Sequence, residues 1–521
     1  MEVERKNSGL VSTQVGMVCE EGGSMSAVRT IVKWIFRFSL VVILLIAIFW
    51  AGIRISRAYH LRAALQPPSA FVVENAPVIV LIHARVVDGT SSPAQNDQTL
   101  ILRNGTIDDV GPSSSIKVPP SARVIDLSDK TVFPGLVMLH EHLFTISPDS
   151  TPKKILVVEQ PVSFPLMYLG AGVTTLRTTG SMFPQADLAI KSAIDSGQRP
   201  GPDMFLTAPY LESNPLTFSQ MHAIAGPDEA RRAVDEGAAE GMSSFKAYIH
   251  LTPEELKAAI DEAHSKGLKI TGHLCSVGFT EAADMGIDGL EHGIGVDTEF
   301  FPGKQPGICP PDRAAGKDID ERLDVESPEV QRMIHHLVER HVAITSTMAV
   351  FADVTDDAQP MSALEGREMR ALCFKSALIY RILRAFVLPK MVMHHLMPKE
   401  MQFERDFVAA GGLLLAGSDP TGDGGTLAGY ADQREIELLV KAGFTPVEAI
   451  HIATANGAEY LGQSARIGTI AKGKQADLVV VAGDPSKNIS DIRNVDLVFR
   501  KGVGYSSARL FAAVSGLLGV Q

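Results

Sequence analysis

Cysteine is scarce. Only four occur, Cys19, Cys275, Cys309 and Cys373, widely scattered and without a C-x-x-C spacing, so neither a disulfide framework nor a thiolate zinc site is implied. Long basic blocks are missing beyond residue 62, and 48 Lys and Arg against 60 Asp and Glu leave a net charge of −12. Nucleic-acid binding therefore has no electrostatic footing. No solenoid repeat or low-complexity linker interrupts the chain. With 45% hydrophobic and 21% charged residues, collagen-like and disordered classes are excluded as well. What is present is a chain of 521 residues, long enough for roughly three domains of about 150 residues, or for a barrel of about 250 residues with additions.

Phe38 to Ile53 reads FSLVVILLIAIFWAGI without a charge, and Trp34 to Phe36 extend it past Arg37. This reads as a transmembrane signal anchor over 34–53, after a basic or disordered tail (1–33) and before a linker (54–70). Arg29, Lys33 and Arg37 precede the apolar run, which suits a signal-peptide n-region as well as an anchor. No A-x-A site follows it, so an uncleaved anchor is favoured over a cleaved signal peptide, with the catalytic body outside the cytoplasm. Met25 is an alternative start.

Residues 71–133 and 463–505 share a texture of short β-rich runs between turns, and are expected to pair into one β-sandwich beside the main body, with 506–521 a tail. Between them, 134–462 alternates apolar strand-like runs with helical stretches. Eight runs are legible: GLVMLHEH, VTTLRTTG, DMFLTAPY, SSFKAYIH, LKITGHLC, GIDGLEHG, VAITSTMA and LLLAGSDP. The expectation is α/β, a (β/α)8 TIM barrel. Between the fourth and fifth runs, Thr252 caps a helix whose apolar stripe is Leu256, Ala259, Ile260 and Ala263.

His140 and His142, at i and i+2 on the first run, point to the same side of a strand, toward the mouth where barrel enzymes keep their chemistry. Lys246 ends the fourth run, His273 the fifth, His292 the sixth and Asp419 the eighth. Metal-competent groups thus recur at the carboxyl ends of five strands. Pro420 is expected to hold Asp419 in an extended conformation.

With FPGLVMLHEHL, FKAY, ITGH, LEHG, GSDP, ATANGAEYLG and GTIAKGKQADLVVV, the chain from about 71 to 505 resembles the amidohydrolase superfamily, and most closely its Xaa-Pro dipeptidase and imidazolonepropionase-like branch. The resemblance implies two divalent metal ions, most often zinc. His140, His142 and Asp419 would hold one and His273 and His292 the other, bridged by Lys246 after its reaction with carbon dioxide to a carbamate. The ions would generate hydroxide near neutral pH, and Asp419 would serve as catalytic general base and then acid. Tyr248, two residues past the bridging lysine, is expected to contact a substrate carboxylate. His222 and Arg177 would assist, although a solvated loop role for the first and an internal salt bridge for the second stay open. His83, His335, His336 and His451 read as structural, and His394 and His395 as a surface pair.

The resulting expectation is a membrane-tethered binuclear hydrolase acting on an amide or peptide bond of a small dipeptide or N-acyl amino acid. The alternatives are a cyclic amidase, lactamase or other small carbon–nitrogen hydrolase, and a metal-free scaffold of the same fold. Self-assembly into a homo-oligomer is left open.

Overall fold

The computed structural model describes residues 22–147, 149–151, 154–420 and 425–519; the amino-terminal tail before residue 22 lies outside them. Two compact units divide the chain, Met1–Ala58 and Tyr59–Gln521. In the first runs a helix, Gly22–Ala64, that continues into the second. Over Val28–Ala64 it is long and apolar enough to cross a membrane. The linker expected at 54–70 is therefore mostly helix. RISRAYHLRAA contains no glycine or proline to stop the helix before Pro67 and Pro68, and Ala64 is already buried in the core.

In the second unit, strands from both ends of the catalytic region share one continuous nine-stranded sheet. Leu478–Ala482 pairs antiparallel with Lys130–Pro134, Val479 facing Phe133 and Val480 facing Val132. The near-continuous apolar run LVVVA follows from burial on both faces. Leu478 and Val480 join the sheet's own core with Leu81, Leu100 and Phe499, while Val479 and Val481 pack into the main body.

The main body holds eight parallel strands, one in each expected run. Leu136–Glu141, Val173–Thr178 and Asp203–Phe205 form a sheet of three. Ser244–Ala247, Lys269–Gly272, Gly289–Glu291, Ala343–Ser346 and Leu414–Ala416 form a sheet of five. A parallel bridge, Thr207 to Ser244, links the third strand to the fourth. After the eighth, the Ser418 and Asp419 amides donate to the His140 carbonyl at 3.2 and 2.9 Å. The fold is of the TIM-barrel type, with helices between strands, as at Pro253–Ser265, where Thr252 and Glu255 form a capping box.

Two other expectations are corrected. Residues 506–519 are not a tail: Ser507–Ala513 is a helix capped by Ser506, and Leu510, Ala513, Val514, Leu517 and Leu518 are buried. The apolar spacing of ARLFAAVSGLL has a face to bury. Cys275 and Cys309, 34 residues apart, form a disulfide; the fold brings together what spacing alone could not pair.

Candidate active site

The expected ligands converge at the carboxyl ends of the strands. His140 Nε2 lies 3.2 Å from Lys246 Nζ. Asp419 Oδ1 is 3.1 Å from His142 Nε2 and 3.8 Å from His140 Nε2, and its Oδ2 is 3.9 Å from His292 Nε2. The His273 ring lies against His292, centroids 4.5 Å apart. One ligand atom each from His140, His142 and Asp419 falls within 4.8 Å of the others. His140, His142, Lys246 and His292 are almost wholly buried, and His273 and Asp419 are partly exposed.

Asp419 is not extended before Pro420: its φ is +46°, and that of His292 is +67°. Tertiary hydrogen bonding outweighs the local preference, because the Asp419 amide must reach the His140 carbonyl.

Three of the four imidazoles are aimed by a second group. Glu291 Oε2 accepts from His140 Nδ1 at 2.8 Å, leaving Nε2 to face the cluster. Thr347 Oγ1 lies 2.7 Å from His292 Nδ1, and the Tyr210 hydroxyl 3.4 Å from His142 Nδ1. On the outer side of the first strand, Glu141 accepts from the Ser418 amide and hydroxyl at 2.9 and 2.7 Å, fixing the turn that carries Asp419. None of these partners stood out in the sequence. Glu291 is hidden because strand alternation sends neighbours to opposite faces; the left-handed turn at His292 lets both residues of the pair reach the interior.

Arg177 is fully buried. Its Nη2 donates to Glu291 Oε1 at 2.8 Å and its Nε to the Leu139 carbonyl, so the internal salt bridge is the reading the geometry carries. His222 has 86% of its side chain exposed and meets Glu229 at 3.4 Å; the structure does not bring it to the cluster. Tyr248 does stand there, its ring 5.0 Å from that of His273. With Phe144, Tyr210, Phe218 and Met221 it forms an apolar wall that includes Cys275. His394 is exposed beside Asp356, and His83, His336 and His451 bind Asp97, Asp284 and the Gly89 carbonyl elsewhere.

The electrostatics suit a cation site. Burial, with the Lys246 charge adding to it, pulls His140 down to about 4 and His273 to about 3, and His142 and His292 also fall. These rings are unprotonated lone-pair donors at neutral pH. Burial lowers the Lys246 ammonium to about 8. Burial alone would raise Asp419, but His140 and His142 hold it well below the usual carboxylate range. Four imidazoles, a carboxylate and a readily deprotonated amine fit divalent cations of the zinc type.

The model of the Amidohydrolase family matches residues 131–503, which include all eight strands and every residue of the cluster. Solved structures align along most of the chain. A candidate prolidase from Bifidobacterium longum is 24% identical, with 83% of this chain and 95% of that one covered and a TM-score of 0.59. A Xaa-Pro dipeptidase with methionine in its active site is 21% identical over 82% and 100%, with a TM-score of 0.59. Molinate hydrolase is 16% identical over 84% and 96%, with a TM-score of 0.60. The chain belongs to the amidohydrolase family, hydrolases that act on carbon–nitrogen bonds.

Proposed function

We propose that the eight strands close into a barrel and that His140, His142, Lys246, His273, His292 and Asp419 hold two divalent cations, zinc in the first instance. The reaction is hydrolysis of an amide or peptide bond in a small dipeptide or N-acyl amino acid. The observation that carries this reading is the contact of Lys246 Nζ with His140 Nε2, in a site where Asp419 touches three imidazoles. Burial favours the neutral Lys246 amine. That amine adds to carbon dioxide, forming a carbamate and releasing a proton, and so presents two oxygens to the cations. When bound, the cations acidify a water and polarise the scissile carbonyl. Asp419 takes the proton of the attacking water and hands it to the leaving amine. Glu291, held by Arg177, keeps His140 in one tautomer through the cycle.

Tyr248 is the substrate-facing candidate that stands beside the cluster. Arg177 is committed to Glu291 and His222 to solvent and Glu229, and the wall around Tyr248 is aromatic and apolar. That wall favours a second reading, an uncharged amide, lactam or urea; molinate hydrolase and phenylurea hydrolase B are among the similar structures. The apolar helix over Val28–Ala64 supports a membrane anchor, and the Cys275–Cys309 disulfide supports an oxidising compartment outside the cytoplasm. The test is a panel of dipeptides, N-acyl amino acids and lactams given to the detergent-solubilised full chain with zinc and bicarbonate. Release of carboxyl-terminal amino acids supports the first reading. Turnover of uncharged amides alone replaces it with the second.

A further inference from the structure

The long connection between the seventh and eighth strands carries the helix Phe374–Phe386, which has apolar side chains on its exposed face as well as on its buried one. Ala377 and Tyr380 are buried. Ile379 and Leu383 line a cavity of about 220 Å³ with Ile146, Leu372, Leu427 and Leu518. Phe374, Leu378, Ile382 and Phe386, four residues apart along one face, stand substantially exposed, and Val387 and Met391 continue the exposed run. The other exposed large apolar side chains described in the body, such as Leu65, Val118, Val124 and Ile308, are scattered. A contiguous apolar face of this kind marks a surface that something covers.

Three observations point to the occupant. The same chain carries a membrane-length apolar helix, and roughly eleven residues, all within that helix, separate the end of its charge-free run at Ile53 from Ala64, which is buried in the body; at the helical rise that is a span of ~16 Å. The body binds the end of this tether and the start of the exposed helix through one segment. The Ser506 amide donates to the Phe71 carbonyl and Arg509 to the Ala70 carbonyl, at 3.0 and 3.3 Å. A few residues on, Leu518 exchanges hydrogen bonds with Ala371 and Cys373 at 3.0 and 2.7 Å. Finally, the charges along 374–391 are all basic, Lys375, Arg381, Arg384 and Lys390, which suits anionic headgroups beside an inserted apolar face. Lys375, Arg381 and Arg384 bind Asp149, Glu365 and Asp353.

We propose that the stretch Phe374–Met391 is a second membrane contact, lying in the interface of the bilayer that the amino-terminal helix crosses. This rests on the anchor reading above. Because the stretch emerges on the carboxyl side of the strands, docking turns the active-site side of the body toward the lipid.

The test uses the full chain with its two native tryptophans removed (Trp34→Phe, Trp50→Phe) and one reporter restored at a time. The reporters are Ile382→Trp and the milder Phe386→Trp on the helix, and Val124→Trp on the nine-stranded sheet. Protein is reconstituted into phosphatidylcholine–phosphatidylglycerol vesicles with or without bromine on the upper acyl chain. The expected result is flotation with vesicles and at least threefold stronger bromine quenching for both helix reporters than for the sheet reporter. Flotation with all reporters equally unquenched leaves the anchor standing and overturns the docking. An unquenched helix reporter whose emission shifts to the blue as protein density rises also overturns it, in favour of a second copy. A chain that does not float removes the anchor reading, and the docking with it.

Discussion

Asp419 and His292 both occupy left-handed backbone that residues with a side chain seldom adopt. Such strain costs about 1–3 kcal/mol and persists where surrounding contacts over-determine it, as the Asp419 amide and the His140 carbonyl do here. Asp419→Asn keeps the shape but loses the proton acceptor. It is expected to lower kcat by about 10²–10⁴-fold, measured on whichever panel substrate the wild type turns over best. Glu291→Gln weakens the hold on His140 and leaves Arg177 without a carboxylate, so metal affinity should fall by about 10–100-fold in a chelator competition. An unchanged affinity would remove Glu291 from the centre. The histidines, Lys246 and Asp419 were legible because strand-end positions recur at the barrel mouth. Glu291, Thr347 and Tyr210 were not, since their role depends on which neighbour the fold supplies. His222 was read from its loop position, and loops do not fix the direction of a side chain.

Helices Leu396–Ala409 and Tyr430–Ala442 bring Glu400, Glu404 and Glu435 into the interior. Burial pushes all three carboxyls up, Glu435 to about 7. A folded pKa above the free value near 4.5 gives stability that is complete below that value and lost as pH rises through 7, ~3 kcal/mol for Glu435. The melting temperature should therefore fall between pH 5 and 8. Glu435→Gln, whose amide can serve both Ser346 and Ala349, should flatten that slope in a thermal scan; an unchanged slope would assign it elsewhere. The disulfide closes a 34-residue separation, and its loss through Cys309→Ser should cost about 4 kcal/mol on the chain-entropy account, read by urea denaturation. All eight strands were visible as apolar runs. The helix at Ser507–Ala513 was missed because it is short and its partner, Ser163–Ala171, lies more than 300 residues earlier. The stretch through Ala64 was missed because charged residues in a helix look like a linker when the apolar pattern stops.

For the whole molecule, strands from both ends of the catalytic region meet in one nine-stranded sheet, within which Leu478–Ala482 packs side chains on both faces. The architecture could be read from alternation and run spacing, whereas the continuity of the nine-stranded sheet needed the register of Leu478–Ala482 against Lys130–Pro134. The central claim is that six side chains from five strands form one two-cation centre. Its most direct test is metal content per chain, measured by mass spectrometry after reconstitution with zinc and bicarbonate, for the wild type and for Lys246→Ala. The account predicts two ions in the wild type and at most one, with hydrolysis lost, in the variant. A wild type that holds fewer than two ions, or a variant that holds two and stays active, would contradict it.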